Sequence, residues 1–490
     1  MSADPKFIIV VFDGLRRDMI TPELAPTLTE FLMAGSDFPL SRSVYPSATR
    51  VNAAALSAGA SPQNTGIIAN KFYHSDVFED QVIHTGKFAH ASAAASGFGG
   101  RFLEAKTLGE CVAGAGKKMA VVSSGSGGTT YLLHPHAGEL GHLRLCFRDW
   151  ACSAPLDVAA DYLDQHGPIP ETEHPNIPMI KLQADVLLDH VLPIVDPDVT
   201  VVWFSDPDST YHPCGLGSPE SREGIKNVDR QFARILDWRE SNPEGERYQV
   251  FVMSDHGQVT ARNKISMKDE IAKSGLKLDA HFKENADFAG TAGYYSALRV
   301  NDGDNGRMAE LVAWLQEQSW RGLIFTPNGD GVEGCIPGTF DRALLQLEHQ
   351  RTPEIYFTLK TDDAPNKWDI TGGCTFSSGS IPEGGGTHGG LHVKEMNSLL
   401  GVQGGAFKDR HISTFPASHT DIAPTILSML GIEAPSTMTG RRLCEAMVEA
   451  EERPPMTEVF EHRVSSGSKT QNLRHWRVGS RTYIDQGWLD

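Results

Sequence analysis

Short, wholly apolar runs that end in an acidic or imidazole side chain constrain this chain more than any other feature. FIIVVF runs into Asp13, VTVVWF is followed by Asp208 and His212, and YQVFVM by Asp255 and His256. Runs this short, with no polar alternation, read as parallel strands covered on both faces. KKMAVVSS reads as a further strand, and helical stretches such as TLTEFLMAG, IKLQADVLLDHVLPIV and NVDRQFARILDWRES lie between them. Strand–helix alternation predicts an α/β fold with a mostly parallel sheet between helices. In open sheets of this kind ligands bind beyond the carboxyl ends of the strands. Residues far apart in sequence are therefore expected to meet along one sheet edge.

The stretch 265–375 has a different texture. It holds GYYSALRV, the helical RMAELVAWLQEQ and EIYFTLK, separated by Gly-, Asp- and Pro-rich turns. This predicts a discontinuous core, residues 1–264 and 376–455, interrupted by a smaller inserted α+β cap at 265–375. Residues 456–490 would form a C-terminal extension, with RVGSRTYI as a last strand. SSGSIPEGGG reads as a flexible approach to His388, and HTDIAPTILSMLGIEAP as a capped helix ending at Gly431, with Pro435 beyond.

At 490 residues the chain has ample material for a core. A formal net charge of −18 argues against binding to a nucleic-acid duplex or an anionic membrane. It leaves room for a small phosphorylated or phosphonate substrate, because bound metal ions reverse the local field. The seven cysteines are scattered and contain no C-x-x-C pair, a pattern of reduced thiols. MSADPKFIIVVFDG shows no basic n-region, and no stretch approaches the ~20 apolar residues that span a bilayer. A cytoplasmic location without membrane association is the expectation.

Asp13, Asp208, His212, Asp255, His256 and His388 offer only oxygen and imidazole nitrogen, the donor mix that suits zinc or a similar divalent ion. Two ions about 3.5–4 Å apart could be held by a set of this size. Asp208 and His212 stand four apart, but Pro213 and Gly215 predict a loop there rather than a helix. Singly, an aspartate after a strand is most often a turn or cap residue. The ordered set is far more specific than its members. Thr49 is the candidate nucleophile, since metal coordination can activate a hydroxyl that is inert alone. RVNAAALSAG after it reads as a helix start whose N–H groups would face a phosphoryl oxygen. Asn52 is expected to donate to the same oxygen.

These segments resemble the alkaline phosphatase superfamily, and most of all its type I phosphodiesterase/nucleotide pyrophosphatase branch. The resemblance rests on Asp13-Gly14-Leu15-Arg16, Thr49 to Asn52, SAGASPQNTGII, Asp206-Pro207-Asp208-Ser209-Thr210-Tyr211-His212, the S-D-H-G at 254–257 and Thr387-His388-Gly389. It implies an alkaline phosphatase-like core and two zinc ions. One would sit on Asp13, Thr49, Asp255 and His256, the other on Asp208, His212 and His388. It also implies metal-dependent cleavage of a phosphodiester or nucleotide pyrophosphate bond, with Thr49 attacking phosphorus. Asp206, Tyr211 and Arg50-Val51 depart from the branch's usual residues and would lie at the substrate rim.

The alternative is a phosphonoacetate hydrolase-like enzyme that cleaves a C–P bond. It would need a cationic pocket for the substrate carboxylate, for which Arg16, Arg50 and Lys71 are candidates. A non-catalytic, metal-stabilised binding protein is a third reading, disfavoured because no ligand or nucleophile is missing. Phe72, Tyr73 and Tyr211 could shape the pocket, and His392 is the rival to His388 within its loop.

Overall fold

The computed structural model describes residues 4–283, 285–377, 379–449 and 455–490. Residues 1–3, Glu284 in the expected cap, Ser378 in the expected flexible approach, and 450–454, at the end of the expected core, lie outside this set. The main sheet runs in the order His411–Ile412, Ser36–Asp37, Leu400–Gln403, Tyr248–Met253, Lys6–Phe12, Val199–Phe204, Met119–Ser123, Leu143–Cys146. The last five of these are mutually parallel, while Leu400–Gln403 is antiparallel to its neighbour.

The apolar runs form this sheet because both of its faces are covered. Every residue from Lys6 to Phe12 is buried. Ile8, Val10 and Phe12 enter one core cluster, and Phe7, Ile9 and Val11 enter another. That is the two-residue period of a strand sandwiched between helix layers. Burial of each such side chain contributes roughly 1.5–3 kcal/mol. Register places the chemistry. Val11 pairs with Met253 and Phe12 with Phe204, so Asp13 comes out level with Ser205 and Asp255 at the carboxyl edge.

A four-stranded sheet stands at that edge, in the order Thr361–Pro365, Thr371–Phe376, Val259–Lys264, Gly386–Thr387. Val259 pairs antiparallel with Thr387, which brings the residue after Thr387 back beside the S-D-H-G turn. A six-stranded sheet is built from segments between Leu278 and Leu359. The helix Asn305–Glu317 packs on it through Leu311 and Leu315, against Ile324 and Phe357.

Three local expectations need correction. Asp208–Cys214 is a short helix, not a loop. Pro213 falls in its last turn, where it forgoes only the one bond its N–H would have given Ser209 O and interrupts no further turn, and Gly215 (φ 88°) ends the helix rather than preventing it. The long stretch after Ile177 is α-helical only to Val186. It continues to Val195 as a π-helix that contains Pro193. RVGSRTYI is not one strand: it turns at Gly479 (φ 60°) between Lys469–Val478 and Arg481–Leu489. With Thr457–Ser466 these complete a three-stranded sheet.

Candidate active site

Asp13 follows the central strand directly, 4% exposed, with its Oδ2 accepting a hydrogen bond from Trp203 Nε1 at 2.9 Å. Its Oδ1 is buried without a partner. Burial, with Asp255 and Asp208 alongside, pushes the Asp13 carboxyl well above the usual carboxylate range. Gly14 turns the chain at φ +70° and donates its N–H to Asp255 Oδ1 at 2.9 Å. A Cβ at Gly14 would lie 2.9 Å from Asp208 Cβ, so glycine is what lets these two loops approach. Asp255 Oδ2 is also buried and unpartnered.

The three histidines share one arrangement. His212 Nδ1 meets Gly386 O at 2.8 Å, His256 Nδ1 meets Gly257 O at 3.0 Å, and His388 Nδ1 meets Ser47 O at 2.9 Å. A carbonyl can only accept, so each Nδ1 carries the proton. In its neutral form each imidazole then presents the lone pair of Nε2. His256 Nε2 lies 3.1 Å from Asp255 Oδ2 and 3.8 Å from Asp13 Oδ1. His212 Nε2 is 3.4 Å from Asp208 Oδ2, and His388 Nε2 is 3.5 Å from Asp208 Oδ1. The rings of His256 and His388 stack with centroids 3.7 Å apart.

Lone pairs facing carboxylate oxygens fit a cation between them. Such second contacts, fixing Nδ1 and leaving Nε2 free, are how metal-ligating histidines are held. Candidate ligand atoms of Asp208, His212 and His388 lie within 4.8 Å of one another, as do those of Asp13, Asp208 and His256. Asp208 thus belongs to both groups and stands between them. Burial would raise its carboxyl, but His212, His388 and His256 hold it well below the usual range. Gln258 Nε2 donates to Asp208 Oδ1 at 2.5 Å.

Thr49 begins the helix Thr49–Ala58, and its Oγ1 lies 3.2 Å from His256 Nε2. Asn52 does not take up its expected posture. Its Oδ1 accepts from Val44 N at 3.0 Å and faces His419 Nδ1 at 2.9 Å. Its Nδ2 donates to Ala48 O at 3.0 Å and Pro46 O at 3.4 Å. A backbone N–H on one side and two carbonyls on the other fix the amide's orientation, and both of its N–H groups are engaged. Asn52 therefore secures the 44–48 turn that precedes Thr49.

Other candidates fall elsewhere. His392 caps a short helix and faces Asp363 at 3.2 Å. Arg16 is tied to Asp18, Gln258 O and Thr371 O. Tyr211 is wholly buried against Met19, Phe72 is core, and Tyr73 packs edge-on against Phe282. Asp206 accepts from Asn176 N, Ser209 Oγ and Thr210 Oγ1.

A model of the type I phosphodiesterase / nucleotide pyrophosphatase family matches residues 7–370. The chain belongs to this family. Its members are phosphoric ester hydrolases of the phosphodiesterase/nucleotide pyrophosphatase kind. Murine ectonucleotide pyrophosphatase/phosphodiesterase 5 superposes with a TM-score of 0.62 at 16% identity, covering 89% of this chain and 97% of that one. An inactive variant of the murine protein, in complex with AMP, gives the same TM-score over 91% of this chain and 100% of that one. Sequence matches to curated relatives are local. Human ectonucleotide pyrophosphatase/phosphodiesterase family member 7 is 37% identical over 65 residues, 13% of this chain and 14% of the relative. Bis(5'-adenosyl)-triphosphatase enpp4 of Xenopus laevis is 35% identical over 83 residues, 17% of this chain and 18% of the relative.

Several residues of this phosphodiesterase-family site escaped the sequence reading. Trp203 and Gln258 orient aspartates, while Gly386 O and Ser47 O fix histidines. Asn70 is the other omission. Its Oδ1 accepts from Arg50 N at 3.2 Å, beside Thr49, and no hydrogen bond from its Nδ2 occurs among the described residues. The one signal was its place just after the TGII stretch, in TGIIANKFY.

Proposed function

We propose that this chain hydrolyses a phosphodiester or nucleotide pyrophosphate bond of a small substrate, with Thr49 as nucleophile and two zinc ions as cofactors. Asp208, His212 and His388 would hold one ion, and Asp13, Asp255 and His256 with Thr49 Oγ1 the other. Bound there, the ions would supply Lewis acidity that lowers the pKa of the Thr49 hydroxyl and offsets phosphoryl charge. The observation that carries the reading is Thr49 Oγ1 at 3.2 Å from His256 Nε2, within a set of imidazoles whose Nδ1 atoms are all fixed on carbonyls.

Thr49 loses its hydroxyl proton to solvent, and Oγ1 bonds to phosphorus in line with the departing ester oxygen. That P–O bond breaks, and the leaving oxygen takes a proton. Water then displaces Oγ1 from phosphorus and restores the hydroxyl. Asn70 Nδ2, which makes no hydrogen bond among the described residues, would donate to a non-bridging oxygen, and Asn52 would act as a positioning residue for the Thr49 turn. We propose too that 265–375 is a cap inserted in the core and 456–490 an extension. A cytoplasmic location is supported by seven free thiols. No helix among the described residues is long and apolar enough to cross a membrane.

A phosphonoacetate hydrolase-like activity is the second reading, and Arg50 and Lys71, which form no ion pair among the described residues, are the cations it would use for the carboxylate. The test is hydrolysis of a nitrophenyl phosphodiester, a nitrophenyl phosphomonoester and phosphonoacetate by zinc-loaded and chelator-stripped protein. Zinc-dependent preference for the diester is expected. Preference for phosphonoacetate selects the second reading, and no turnover of any of the three contradicts both.

A further inference from the structure

Beside Thr49 the surface is lined with donors. The strand Lys71–Phe72 pairs with Ile83–His84 so that Lys71 stands opposite His84. Asn70, just before that strand, is joined to the Thr49 helix through Arg50 N at 3.2 Å. Its own N–H donates to Tyr295 Oη at 2.9 Å, and its carbonyl accepts from Thr85. A Cβ added at Gly86 would meet His84 Cε1 at 3.1 Å and Arg50 Cζ at 3.5 Å, so the imidazole and the guanidinium flank one small gap. Lys87 follows at the start of the helix Phe88–Gly97 and makes no capping hydrogen bond. A positive charge at a helix N-terminus opposes the helix dipole, so helix stability does not explain this lysine.

None of these cations has a carboxylate in ion-pair contact among the described residues. Arg50 Nε is buried without a partner. Among the described residues neither Arg50, Lys71 nor Lys87 forms an ion pair, although 62 acidic residues outnumber 44 basic ones in the chain. His84 Nδ1 accepts from Gly86 N at 3.3 Å, which leaves Nε2–H as a further donor. Burial, and then Lys71, Arg50 and Lys87, push the His84 imidazole down to about 3, so it stays neutral. The carboxylates that act on Arg50 include Asp13, Asp208 and Asp255 of the candidate metal site itself. Unpaired cations around one gap repel one another, and an anion entering it relieves that repulsion.

We propose that Arg50, Lys71, His84 and Lys87 form a subsite for a second anionic group of the substrate, a carboxylate or phosphate attached close to the scissile phosphorus. The proposal deepens the hydrolase reading and rests on it for the position of phosphorus beside Thr49. Arg50 and Lys71 act as specificity-determining residues that favour substrates with two anionic groups over those with one. The exposed Lys71 and Lys87 guide the second group from the rim, while Arg50 and His84 Nε2–H hold it.

Binding decides this without turnover. Zinc-loaded protein is titrated calorimetrically with two matched pairs: phosphonoacetate against its carboxyl methyl ester, and ADP against AMP. Wild type is expected to bind at least one doubly anionic probe tenfold or more tightly than its partner, and the pair that discriminates tells carboxylate from phosphate. Lys71→Met should reduce that ratio to near one, and Lys71→Arg should restore most of it. Equal affinity within both pairs for wild type overturns the proposal, as does a ratio unchanged in Lys71→Met. Discrimination without hydrolysis of any ester would instead sink the hydrolase reading and leave the subsite standing.

Discussion

At the scale of single residues, His212, His256 and His388 depend on groups that never touch a substrate. Each Nδ1 is fixed by a carbonyl, and Asp13 is oriented by the indole of Trp203. Partners of this kind typically carry 10–100-fold in metal affinity. Trp203→Phe is therefore expected to weaken zinc binding by about that factor in a competition titration. Unchanged affinity would show that the indole does not orient Asp13. A second expectation concerns Glu395, buried with its carboxyl bonded by Tyr294 Oη at 2.5 Å and Gly390 N at 2.9 Å. Burial pushes this carboxyl up from 4.5 to about 7. Between those values the folded state holds a proton that the unfolded state has lost, so stability falls as pH rises through the window. Glu395→Gln has no such proton to lose. Denaturant titrations at pH 4.5 and 8 should show wild type losing about 3 kcal/mol more than the variant over this interval. Parallel pH profiles would contradict it.

At the scale of elements, the strand ends do the positioning. Gly14 holds φ +70°, and a Cβ there would lie 2.9 Å from Asp208 Cβ. Gly14→Ala is expected to destabilise the fold by about 1–2 kcal/mol from backbone strain alone. It should also push the Asp208 loop away and weaken zinc binding, both readable in one set of zinc-loaded and stripped melting curves. A melting temperature unchanged in the stripped protein would refute the strain. The sheet was legible because Phe7 to Phe12 alternates between two buried faces, leaving an unbroken apolar run in the sequence. The convergence of Asp13, Asp208 and Asp255 followed from that one rule. The helix at Asp208–Cys214 was hidden because Pro213 and Gly215, strong breakers by type, fall where a helix ends anyway. Asn52 misled for another reason. Three residues from Thr49 on one helix it looks free, but its amide is consumed by the carbonyls of Pro46 and Ala48. Asn70 reaches the same place through a tertiary contact with Arg50 N that no local spacing encodes.

At the scale of the whole molecule, the last strand is joined to the site from behind. Arg42 is bonded through Nε to Asp485 Oδ1 at 2.9 Å and through Nη1 to Asn397 Oδ1 at 3.0 Å, and it lies over Trp476 at 4.4 Å. Next to it, Ser43 Oγ donates to Asp255 O at 2.7 Å. Asp485 is 2% exposed, so its removal leaves a buried guanidinium without its counter-charge. Asp485→Ala is expected to destabilise the protein by about 3–5 kcal/mol in equilibrium denaturation. A loss under about 1 kcal/mol, in the range of surface ion pairs, would mean the pair is not buried in solution. The measurement that bears most directly on the whole is zinc content and phosphodiester turnover, determined on the same preparations of wild type, Thr49→Ala and His388→Ala. Wild type should hold about two zinc ions and turn over the diester. Thr49→Ala should keep most of its zinc and lose nearly all activity, and His388→Ala should lose zinc and activity together. Turnover at the wild-type rate by Thr49→Ala, or by wild type stripped of metal, would contradict a threonine nucleophile in a two-zinc site.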